Sequence, residues 1–171
     1  LSMALATQLV MNNNVGLWSG IVAMVTAENG LGTNIIEIQS VRVIQEQDKR
    51  GIRIDKEEKK EEAIEAGLLV IGGLKAFARA NDDNTLLKKI DYSHTELDQV
   101  RDTIVVDRLK IVRDEANLII GSLGDYNVTP TEVNALIGKI AAYQVMIPKP
   151  RVAINIGKNA TEALDRLFRE M

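Results

Sequence analysis

Along most of the chain, apolar residues recur every three to four positions, the period of a helix. Only Ile52-Arg53-Ile54 hints at the alternation of a strand. Residues 1–11 have the composition of a first helix, which Asn12, Asn13 and Asn14 interrupt, because Asn forms helices poorly and accepts turns and caps. Leu17, Ile21, Met24, Leu31, Ile35 and Ile38 then fall on one helical face. They predict a single long helix over 15–48, kinked at Gly30 and Gly32, with a full break there as the alternative, since each glycine costs roughly 1 kcal/mol against Ala.

The next connection is read at 48–55, with Gly51 as its turn and Asp55 and Glu58 at N-cap and N3 spacing. A third helix is expected over 56–80. Its first turns are a solvated charge run, and its second half is rich in Gly and Ala, which lets other helices approach and makes it the centre of the bundle. Asn81–Asn84 end it, and residues 85–90 make one short turn. A fourth helix over about 94–122 carries one stripe of Val105, Leu109, Val112, Ala116, Ile119 and Leu123. Leu97, Ile104, Ile111 and Leu118 form a second stripe beside it. Asp98, Asp102, Lys110, Arg113 and Asp114 are assigned to its solvated side, and Gly121 and Gly124 to its end.

Thr129, Pro130 and Glu132 form a capping box with proline at the first helical position. The helix they start covers 130–146, with Val133, Leu136, Ile137, Ile140 and Tyr143 inward. Pro148, Lys149 and Pro150 predict a rigid corner. A last helix over 151–170 then turns Ala153, Ala160, Leu164, Leu167 and Phe168 inward. The whole reads as an all-α, up-and-down bundle of about five to six helices with short connections, in one domain over 1–171.

Composition narrows the function classes. The 171 residues are 46% apolar but only 4% aromatic, so the core must be aliphatic. A net charge of −3 gives no electrostatic reason to expect nucleic acid or an anionic membrane as partner. No apolar run approaches the ~20 residues of a membrane span. With no cysteine there are no disulfides, thiolate metal sites or thiol nucleophiles. The compartment stays open: cytoplasm is the default, and a sequence beginning at Leu1 is also compatible with a removed signal segment.

The one histidine, His94, stands among Asp91, Glu96, Asp98 and Asp102. Ser93 and Glu96 have capping-box spacing, and acidic residues suit a helix N-terminus, so this stretch is read as a helix start with His94 at the surface. A di-iron bundle needs Glu-x-x-His on two helices, and the chain has none. Residues 67–75 superficially resemble a phosphate loop but lack its Gly-Lys-Ser/Thr ending and its preceding strand. No catalytic, cofactor-binding or metal residue is assigned. The site residues named are the helix caps Asp55, Ser93, Glu96, Thr129 and Glu132. Arg166 and Arg169 are named as a candidate interface within a basic last helix.

Residues 81–102, 123–136 and 145–154 carry, in that order, an Asp-Asn-Thr-Leu turn, a Tyr-Ser cap, a Gly-Asp-Tyr-Asn-Val-Thr hinge and a Pro-Lys-Pro-Arg corner. In these the chain resembles a group of uncharacterised all-helical bacterial proteins with no established activity, departing from them in its first fifty residues. The resemblance implies the fold and no catalytic residue. The expectation is therefore a non-enzymatic structural or protein-interaction bundle, self-associating or bound to another protein, without cofactor. The rival class is a small-molecule- or metal-binding bundle, with or without catalysis. A closed core favours the first, and a pocket with converging Asp, Glu and Tyr the second.

Overall fold

The computed structural model describes residues 1–46 and 50–170. The fold is all-α, with no strand among the described residues. Nine helices follow in order among those residues: α1 (Ser2–Asn13), α2 (Val15–Trp18), α3 (Val22–Glu46), α4 (Arg50–Ala80), α5 (Asn84–Lys89), α6 (His94–Asp98), α7 (Asp102–Leu118), α8 (Pro130–Met146) and α9 (Lys149–Glu170). The chain packs as two compact units. One is Arg50–Pro150 and the other joins Leu1–Lys49 to Arg151–Met171.

In the unit Arg50–Pro150, α4 is the axis, packing against α5, α6, α7 and α8. Its glycines explain how. A Cβ at Gly67 would overlap the Leu109 side chain of α7, and one at Gly73 would overlap Val128 and lie 2.9 Å from the Tyr126 carbonyl. Gly72, in contrast, faces open space. The core is one cluster, running from Ala63, Ile64 and Val70 on α4 through Leu97, Val105 and Leu109 to Leu136 and Tyr143 on α8.

Helix ends follow local chemistry where the sequence offers it. After α4, Asp82 takes a left-handed φ of 53°, which Asp tolerates better than most residues, and Asp83 N–H closes the end by donating to Ala78 O at 2.8 Å. The Asp83 carboxylate then caps α5 by accepting from Thr85 and Leu86 N–H. Ser93 with Glu96, and Thr129 with Glu132, form reciprocal capping boxes, and Pro130 sits in the first turn of α8 as expected.

Four expected boundaries are corrected. Asp55 is not an N-cap: α4 already begins at Arg50 and runs through Gly51 and Ile52-Arg53-Ile54 without a strand. Residues 47–49, where the expected helix 15–48 meets the connection 48–55, lie outside the described residues. The helix over 15–48 breaks at residues 19–21, not at Gly30 and Gly32, which lie inside a continuous α3. The helix over 94–122 is divided at residues 99–101 and ends at Leu118, followed by two short 3₁₀ turns. At the proline corner, Lys149 and Pro150 already belong to α9, so the turn is two residues, Ile147 and Pro148.

The break at 99–101 resets the helical phase. In an unbroken helix Leu97, Ile104, Ile111 and Leu118 would share a face. After the break, Leu97 keeps company with Val105, Val106, Leu109 and Val112 in the core, while Ile104 and Ile111 turn outward and Leu118 is 78% exposed. Ile137 of α8 is likewise exposed rather than inward.

The second unit is thinly cored. Ile38 of α3 packs with Leu164 and Leu167 of α9, flanked by Leu1 and Val41, and Gln45 Nε2 donates to Thr161 Oγ1 at 3.0 Å. Trp18 Nε1 donates to Met11 O at 2.8 Å and ties α2 back to α1. Of the residues expected inward on the last helix, Ala160, Leu164 and Leu167 are buried, and Phe168 is exposed.

Candidate functional site

Two features stand out, one in each unit. The first is a polar cluster where α4, α6, α7 and α8 meet. Helical spacing puts Lys56 and Lys60 on the same side of α4, one turn apart. Lys60, only 8% exposed, donates to Asp98 Oδ1 at 2.7 Å and to the Asp98 carbonyl at 2.5 Å. It thus fixes the last residue of α6 just before the break. Lys56 Nζ donates to Asp102 Oδ2 at 2.9 Å, and Tyr143 donates its hydroxyl proton to Asp102 Oδ1 at 2.6 Å. Asp98 and Asp102, read from sequence as solvated, therefore both face α4. Asp102 lies three and seven residues before Val105 and Leu109 on α7, so it shares their inward side.

At the rim, Lys59 donates to Glu62 Oε1 at 2.5 Å, and Lys139 of α8 pairs with the same carboxylate. His94 Nε2 lies 2.6 Å from Glu61 Oε1, joining α6 to α4, with the ring about half exposed. His94 is the first residue of α6 and sits at the surface, as expected.

The electrostatics are those of a satisfied network. The Lys60 hydrogen bond and charge hold Asp98 below the usual carboxylate range. Burial is the largest influence on Asp102 and pushes it up, but the Tyr143 and Lys56 hydrogen bonds and the nearby lysine charges outweigh it, and the carboxyl sits low. Burial, then the Asp102 carboxylate it serves, push the Tyr143 phenol far up. The Glu61 hydrogen bond raises His94. Tyr143 is fully buried. No buried side-chain polar atom lacks a partner among the described residues. Nor do they include a group of three or more His, Cys, Asp or Glu side chains placed to hold a metal ion. The convergence of Asp and Tyr thus ties four helices together.

The second feature is apolar. Most of the large apolar side chains that stand exposed belong to the unit of residues 1–49 and 151–171. Met3, Leu17 and Val22 are each 81% exposed. Of the face predicted over 15–48, only Ile35 and Ile38 are buried, while Leu17, Ile21 and Met24 are exposed. An open groove of about 540 Å³ is lined by Leu1, Met3, Ala4, Thr7, Ala27, Leu31 and Phe168. Residues 1–27 contain no Asp, Glu, Lys, Arg or His. That run was the signal in the sequence for this surface, and a reading centred on charged motifs passes over it. Arg166 is exposed, with Nε 3.8 Å from Glu170 Oε1, and Arg169 lies in the last turn of α9. No helix is long and apolar enough to cross a membrane among the described residues.

Compared with protein-family models, with curated proteins and with solved structures, the chain matches none.

Proposed function

We propose that the protein is a non-enzymatic helical structural or interaction module that self-associates. The observation that carries this reading is the contrast between its two units. Arg50–Pro150 has a continuous aliphatic core, and its buried polar cluster is internally paired. The unit of residues 1–49 and 151–171 buries few apolar side chains and leaves many large ones in water. Monomers rarely leave contiguous apolar patches beyond a few hundred Å² uncovered, and association removes that cost. Arg166 and Arg169 are the electrostatic alternative for the contact.

The test is the native mass by light scattering across a dilution series. A mass above that of one chain, falling on dilution, is the expected result. A single-chain mass at every concentration rejects the proposal.

A further inference from the structure

We infer that the charge-free segment of residues 1–27, which forms α1, α2 and the start of α3, is the interface between two copies of this chain. The inference rests on the self-association proposed above and names its surface.

Area is the first argument. Nine large apolar side chains between Met3 and Met24 are exposed. At their exposures they leave on the order of 1,000 Å² of apolar surface open in total, against the ~800 Å² that each partner gives a stable interface. Electrostatics is the second. In a two-fold contact the residues near the axis meet their own equivalents, so charges there would oppose like charges. A face without charge meets its copy without that penalty. Shape agrees with both: a Cβ at Gly16 or Gly20 would meet nothing within 4 Å, which leaves room for a helix to approach.

A lipid surface fits less well. Interfacial helices carry Lys and Arg on their polar face, and here the polar residues are Ser, Thr, Gln and Asn. The basic side of α9 predicts a different salt response. Association through Arg166 and Arg169 changes with ionic strength, whereas a charge-free contact persists in high salt.

The experiment compares native mass for the parent, Leu17→Glu with Val22→Glu, Leu118→Glu, and Arg166→Glu with Arg169→Glu, at low and high salt. Leu118 is exposed to a similar degree but lies in the other unit. The expected result is an oligomeric parent insensitive to salt. The Leu17/Val22 pair should weaken association at least about tenfold, because like charges are forced together in an apolar contact. The other two variants should leave it unchanged.

The chain has no cysteine, so Leu17→Cys and Leu118→Cys provide a second readout that survives if the double variant fails to fold. A short bis-maleimide should link two copies through position 17 and not through 118. An oligomeric parent whose mass ignores the Leu17/Val22 change and whose position 17 does not cross-link overturns this interface and leaves self-association standing. A single-chain parent overturns both. If such a parent floats with lipid vesicles, the face belongs to a membrane surface instead.

Discussion

Tyr143 donates its hydroxyl proton to Asp102 Oδ1 at 2.6 Å, and Lys56 takes the other oxygen of the same carboxylate at 2.9 Å. Tyr143→Phe keeps the ring in the core and removes one hydrogen bond to a charged acceptor, so it should cost about 2 kcal/mol. Asp102→Ala should cost more, because it strands a buried hydroxyl and a lysine together. Urea unfolding of the two single variants and the double should give clear coupling between the sites. Strictly additive losses would mean that the contact does not act as a unit.

What the sequence revealed was local. Ser93 with Glu96, and Thr129-Pro130 with Glu132, are short-range devices whose partners lie three residues apart, so spacing alone locates them. Asp55 with Glu58 has the same spacing and caps nothing, because Gly51 through Ile54 hold no residue that forbids a helix. The Asp102–Tyr143 contact spans 41 positions, and Lys60 on another helix holds Asp98 just before the break at 99–101. Nothing within residues 94–102 announces that lysine. The aliphatic core of α4 was legible from its small residues, yet which glycine touches a neighbour depends on helix phase.

Those glycines make a sharp test. Gly73→Ala and Gly67→Ala should each destabilise by about 1–3 kcal/mol through overpacking. Gly72→Ala adds a methyl in open space and should stabilise by about 0.5–1 kcal/mol, since Ala loses less backbone freedom in a helix. Thermal melts of the three variants check this. Equal shifts for Gly72 and Gly73 would reject the assigned phase of α4.

At the start of α6, the cap and the histidine should separate. Ser93→Ala loses the acceptor for Glu96 N–H and should cost about 1 kcal/mol. His94→Ala should leave stability at neutral pH nearly unchanged, as for ordinary surface changes. Denaturant midpoints decide it, and a larger loss for His94 would make its contact with Glu61 the main anchor of α6.

The pH dependence of stability has opposite signs at the two ends of this network. Asp98 and Asp102 have lowered folded-state values, so their contribution is present above the unfolded carboxylate range near 3.9 and is lost as pH falls through the folded values. The folded value of His94 is raised, so its contribution is full below the unfolded histidine value near 6.5 and is lost as pH rises through the folded value. Asp102→Asn should therefore flatten the acid limb of a stability profile. His94→Gln should remove only a small decline that begins above about 6.5. The exposed ring makes the histidine effect the weaker of the two, because solvent screens its pair with Glu61 while Asp102 is held between a buried phenol and a lysine. Unfolding free energies of parent and variants, measured from acid to mildly alkaline pH, test both signs. An acid limb unchanged in Asp102→Asn would show that this carboxylate does not couple protonation to folding.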